Sequence, residues 1–115
     1  MLAPLPLLLL LLAAGPSADQ EIAFGIEVAQ KGLWREARLR FEKAAAREPE
    51  NASALNNLAI ALEQSGEFEK ARAAYEKALE LKPKDLYIQQ NYDLFREADD
   101  KRNRKARKAA ESKTP

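Results

Sequence analysis

The sequence contains no cysteine and no histidine. Without cysteine there is no disulfide to staple a small secreted domain and no thiolate to act as nucleophile or metal ligand. Without histidine the commonest general base and a usual zinc ligand are gone, so metal or acid/base chemistry would fall to carboxylates alone. Phosphate-binding glycine loops, nucleophile elbows and metal-binding boxes are also missing. Carboxylates do cluster, as Glu63, Glu67 and Glu69 and again as Asp93, Glu97, Asp99 and Asp100, but they alternate with Lys and Arg on polar faces. Acid/base catalysis needs a cleft that desolvates one member of such a pair. The composition therefore argues against an enzyme and implies no cofactor and no metal.

What is present is a chain of 115 residues, enough for one domain with a small core. Its net charge of +1 hides a division: residues 1–100 hold 12 basic and 17 acidic side chains, whereas 101–115 hold 7 basic and 1 acidic. An acidic body carries a basic tail.

Residues 1–17, MLAPLPLLLLLLAAGPS, stand apart from everything downstream. Leu2 to Ala14 gives 13 mainly apolar residues, interrupted by Pro4 and Pro6, where a membrane-spanning helix needs about 20. A buried core helix is disfavoured because two prolines and six consecutive leucines leave no polar face. The length suits a secretory signal, with Ser17, two after Gly15, as the expected last residue removed. No Lys or Arg precedes the apolar run, which departs from the usual signal pattern. The reading is therefore export to a periplasm or to the medium, with retention of residues 2–14 as a membrane anchor as the alternative. The alanine-, leucine- and arginine-rich texture favours a bacterial envelope.

From Ala18 onward the spacing is helical. Shifted by 34 positions, residues 18–51 superimpose on 52–85: Gly32 on Gly66, Trp34 on Phe68, Ala37 on Ala71, Phe41 on Tyr75, Ala44 on Ala78 and Pro49 on Pro83. Matches of that kind at one spacing mark a repeat. Each copy reads as two helices broken at a glycine and ended by a proline, the second spanning about Trp34 to Arg47 in the first copy. Asn51 or Ser53 would cap the third helix, and Asn51-Ala52-Ser53 is also a glycosylation sequon, for which capping is the favoured reading. Asp85 would cap a fifth helix in which Ile88, Tyr92 and Phe95 close the stack, and Glu97–Lys101 and Asp100–Arg104 would pair along it towards Lys108. No glycine and aromatic follow at the right spacing for a sixth. At this spacing Trp34, Phe41, Phe68 and Tyr75 read as core.

These residues resemble the tetratricopeptide repeat family over 18–85. The small residue late in the first helix is Gly25 and then Ala59, after the bulky Phe24 and Leu58. The inter-helix glycine, the alanines and aromatic of the second helix and the closing proline are the pairs named above. Glu21 and Leu55 stand where the family often has tryptophan. The resemblance implies an all-α solenoid of antiparallel helix pairs, about five helices, after the signal segment. Its parts would be repeat 1 (18–51), repeat 2 (52–85), a capping helix (86–100) and a basic tail (101–115). It further implies a right-handed superhelix whose first helices line a concave groove for a peptide, helix or loop of another protein.

Carried over by position, the groove-lining residues are Ile22, Ala23 and Ile26, then Ser53, Asn56, Asn57, Ile60 and Gln64, then Tyr87, Gln90, Asn91 and Leu94. Asn57 and Asn91 lie one repeat apart, and a carboxamide both donates to and accepts from an extended backbone. Ile22 and Ile26 occupy places where a clamp for acidic tails would need basic and amide residues, so that specialised activity is rejected. Because two complete repeats fall short of the usual three or so, self-association is the alternative. Lys101, Arg102, Arg104, Lys105, Arg107 and Lys108 form a candidate anion-binding tail. Nucleic acid is disfavoured because no aromatic is interleaved to stack bases. The tail reads instead as a solvated helix end, with weak electrostatic tethering to a membrane as the alternative.

Overall fold

In a computed structural model the described residues, 15–114, form five helices and no strand. They are α1 (Ala18–Gln30), α2 (Trp34–Arg47), α3 (Ala52–Gln64), α4 (Phe68–Leu81) and α5 (Leu86–Glu111). The apolar segment expected to direct export or to anchor the chain lies at 1–14, outside the described residues. Among the described helices none is long and apolar enough to cross a membrane.

Local chemistry sets the boundaries. Ser17 caps α1 through a reciprocal box: its Oγ accepts from the Gln20 N–H at 3.2 Å, and its own N–H donates to Gln20 Oε1 at 2.8 Å. The residue expected to be the last one removed is thus, in the intact chain, the cap of the first helix. Asn51 caps α3 by accepting from the Ala54 N–H at 3.0 Å, and Asp85 caps α5 by accepting from Tyr87 and Ile88. Gly32 and Gly66, at φ +78° and +77°, turn the chain at the ends of α1 and α3. After each, the next N–H reaches back into the helix, Leu33 to Val28 O at 3.0 Å and Glu67 to Leu62 O at 2.9 Å. That bond needs a left-handed residue before it, which glycine adopts without a Cβ clash.

The helices stack in sequence as two antiparallel pairs and a cap: α1 on α2, α2 on α3, α3 on α4, α4 on α5, with α1 also touching α3. Small residues permit the approach. A Cβ built on Gly25 would lie 2.5 Å from the Phe41 ring, so only glycine lets α2 seat its aromatic against α1. Ala37, Ala44, Ala54, Ala59, Ala61, Ala71 and Ala78 are fully buried. Leu58 bridges the repeats by packing against Val28, Ala37, Phe41 and Ala61. At the other end Tyr75 meets Phe95 and Tyr92 with ring centroids 5.3 and 5.8 Å apart, and this aromatic cluster seats α5.

As expected, α5 continues past residue 100, running as one helix to Glu111. One expectation for it is corrected: Glu97–Lys101 and Asp100–Arg104 do not pair, since neither contact forms within 4.0 Å and Asp100 lies 3.9 Å from Arg72. The contacts that do form on this stretch centre on Asp99 and Arg102 and reach across to α4. Arg72 donates to Asp99 Oδ2 at 2.7 Å, Arg102 donates to Asp99 Oδ1 at 3.1 Å, and the Arg102 guanidinium lies 3.6 Å from the centroid of Phe68. The stack ends here because the position of Gly25 and Ala59, which would receive the aromatic of a sixth helix, is Asp93, and that of Val28 and Leu62 is Arg96.

Candidate functional site

The first helix of each unit presents one face away from its partner. The 34-residue register places Ile26, Ile60 and Leu94 in one row across α1, α3 and α5, with Ala23, Asn57 and Asn91 in the next and Gln30, Gln64 and Ala98 beyond. No residue in these three rows is charged. Ile26 is 39% exposed and Leu94 60%, and Tyr87, two turns before Leu94 on α5, is 64% exposed. Ile60 is half-buried, one side resting on the cluster around Tyr75 and Phe95.

Between α1 and α3 this face dips into a recess of about 270 Å³ lined by Ile26, Ala29, Gln30, Trp34, Phe41, Asn57 and Ile60. Three of the residues read from the sequence as groove-lining, Ile26, Asn57 and Ile60, are thereby brought together. The Asn57 side-chain amide donates through Nδ2 to the Ser53 carbonyl at 2.9 Å, and among the described residues its side-chain Oδ1 accepts nothing. Gln64, Tyr87 and Leu94 are exposed on the same side.

One residue leaves the set. Asn56 is 2% exposed and accepts from Asn91 Nδ2 at 3.2 Å, so its carboxamide ties α3 to α5 instead of facing a ligand. Burial explains the chemistry, since an unpartnered amide inside would be costly. Ile22 is half-buried, with its inner side packed against the buried alanines Ala18, Ala44 and Ala54. Asn91 is half-buried and holds Asn56 with one donor.

Gln30 and Trp34 were missed. Gln30 is the equivalent of Gln64 one repeat earlier, a signal that the spacing already carried. Trp34 sits at a core position of the repeat, yet it is half-buried, like its equivalent Phe68, and its ring borders the recess. A larger recess, about 660 Å³, lies elsewhere, at the loop ends among Glu48, Pro49, Glu50, Asn51, Ala52 and Lys82. Its charged rim suits solvent better than an apolar ligand.

Four members of the carboxylate clusters make structural contacts, while Glu69, Asp93 and Glu97 are exposed. Tyr75 donates to Glu63 at 3.4 Å, Glu67 pairs with Arg38 and Lys70, and Asp99 and Asp100 face Arg72. Burial pushes the Glu63 carboxyl above its usual range, and the hydrogen bond from the Arg72 guanidinium holds Asp99 below it. Among the described residues no group of acidic side chains could hold a metal ion.

The basic set divides. Arg102 is half-buried on Phe68 and Asp99, whereas Lys101, Arg104, Lys105, Arg107 and Lys108 are exposed, and among the described residues none forms an ion pair.

A family profile described as tetratricopeptide repeat matches residues 22–85, more than half of the chain. The chain matches no curated protein.

Proposed function

The chain belongs to the tetratricopeptide repeat family, one of protein–protein interaction modules, and we propose that it is a non-enzymatic adaptor. It holds a peptide or helix of a partner protein on the face formed by α1, α3 and α5. The observation that carries this reading is the uncharged face, where Ile26 and Leu94 stand 39% and 60% exposed in register with Ile60 beside the recess. A stack that leaves apolar side chains in a row between carboxamides offers a ligand both burial and backbone hydrogen bonds.

Affinity capture with the full chain tests the surface. Leu94→Glu and Ile26→Glu alter exposed side chains without opening the core, and both should abolish recovery of the partner that the parent chain retains. Equal recovery by all three proteins would move the interface off this face.

The adaptor works outside the cytoplasm, on the strength of the apolar segment at residues 1–17. N-terminal sequencing of the mature protein tests that half of the reading: a start near Ala18 supports export and release, and an intact Met1 would overturn it in favour of an anchored protein.

A further inference from the structure

The projecting half of α5 has no role in the stack. Arg102 is its last half-buried side chain, and residues 103–111 continue as exposed helix for about 14 Å at 1.5 Å per residue. A bare helix of that length, whose charges are mostly cationic, is poorly stabilised by its own contacts. Its register supplies a use. Tyr87, Asn91 and Leu94 are followed, through Ala98, by Lys101, Lys105 and Lys108 in alternating steps of four and three residues. Such a series stays on one helix face, drifting by only about 20° per seven residues. The uncharged partner-binding face of α5 therefore runs directly into a row of lysines.

We propose that the segment held by this protein is apolar at one end and acidic at the other, and that its Asp/Glu-rich end lies along Lys101, Lys105 and Lys108. The proposal rests on the adaptor reading above and names the chemistry of the partner.

Three observations support it. The lysines are exposed and form no ion pair among the described residues, in contrast to Arg102, whose charge is already answered by Asp99. Charge also fixes the direction of binding: residues 1–100 carry 17 acidic against 12 basic side chains, and 101–115 carry 7 basic against 1 acidic. An acidic segment is therefore repelled by the body and attracted only at the arm. Finally, the other anionic surfaces fit less well. The arm has no aromatic on which nucleic-acid bases could stack. Its opposite side, Asn103, Ala106 and Ala110, lacks the bulky apolar residues with which an interfacial helix enters a bilayer.

A random-peptide display library panned on the full chain tests this and requires no identified partner. The expected result is enrichment of peptides with apolar residues followed by an Asp/Glu cluster. A labelled representative should bind about tenfold more weakly to the Lys101→Glu/Lys105→Glu/Lys108→Glu variant at low salt, and the gap should shrink to about twofold at about 0.5 M salt. The Lys→Gln triple variant, which introduces no repulsion, should fall between them, with circular dichroism verifying that the helix persists. Apolar peptides without acidic residues, bound equally by parent and triple variants yet lost with Leu94→Glu, would overturn the arm's role and leave the adaptor reading standing. Enriched peptides indifferent to both Leu94→Glu and the lysine changes, or no enrichment at all, would overturn both. If acidic peptides are not selected while phosphatidylglycerol vesicles or duplex DNA bind the parent and not the triple variants, the arm serves lipid or nucleic acid, and the proposal fails.

Discussion

The two repeats share a backbone plan but finish their edges differently. Leu58 of repeat 2 packs over Val28, Ala37 and Phe41 of repeat 1, whereas its equivalent Phe24 meets no earlier helix pair among the described residues and is 43% exposed. The Arg40 guanidinium covers that ring at 4.5 Å from its centroid, at a position that in repeat 2 is the small Ala74. Leu55 is buried between repeat 2 and α5, while its equivalent Glu21 is also buried but faces Arg40 at 3.5 Å, with Arg40 held in turn by Glu36. One repeat unit is thus completed by neighbours and the other by an ion-pair and cation–π arrangement at its open edge.

The largest test of this difference removes each aromatic keystone. Phe41→Ala and Tyr75→Ala should each cost about 3–5 kcal/mol, read by urea unfolding. Tyr75→Ala should cost more, because Tyr92 and Phe95 lose their contact and α5 is released together with the repeat core. Equal losses would mean that the aromatic cluster adds nothing to the seating of α5.

A smaller contrast lies in the helix approach. Gly25→Ala forces a methyl group into the Phe41 ring and should destabilise by about 1–3 kcal/mol. Ala59→Gly at the matching site loses helix propensity and a methyl group, about 1 kcal/mol. If Gly25→Ala proved stabilising, the tight contact with Phe41 would be wrong. Smaller again are the caps. Ser17→Ala and Asn51→Ala should each cost about 1 kcal/mol, detectable as a lower denaturation midpoint with an unchanged denaturant slope.

The smallest effects are those of pH, and two acids in the second half of the molecule act with opposite sign. Asp99 is held below the usual aspartate range, chiefly by the hydrogen bond from Arg72. Its contribution is therefore complete above the ordinary aspartate pKa and lost as pH falls through the lowered folded one. Glu63 is raised above the usual glutamate range by burial. Its ionisation opposes folding at neutral pH, and the penalty disappears as pH falls through the raised pKa and then the ordinary one. Glu63→Gln should accordingly raise the melting temperature at neutral pH and converge with the parent once the glutamate is protonated in both folded and unfolded chains. Arg72→Gln should lower it at neutral pH and lose its effect once Asp99 is protonated. Repeat 1 has Ala29 and Phe41 at the positions of Glu63 and Tyr75, so it contributes no comparable pair.

Most of the fold was legible because it depends on local rules that repeat. Gly32 and Gly66 end helices by left-handed geometry, Asn51 and Asp85 begin them by capping, and the second helix is bounded at Trp34 and Arg47 as its spacing implies. The candidate surface was legible only in part. Helical spacing separates successive residues by about 100°, but neighbouring residues on a broad face differ in what the next helix places over them. Asn56 and Asn57 are adjacent in sequence and equally polar, yet one ties α3 to α5 and the other borders the recess.

By itself the sequence determined the limits of the first four helices and the register of the two repeats, since these follow from backbone conformation and the periodic placement of small and bulky side chains. Tertiary structure decided which of the register-matched residues remain available. Ile26 was left at the surface while Ile22 was partly covered by Ala44 and Ala54 of the two following helices. Lys101 was left free while Arg102 was drawn onto Asp99 and onto Phe68 of α4, and Asp99 itself is held by Arg72, 27 residues away in the chain. Contacts made across such separations depend on how the helices dock, and no local pattern specifies them.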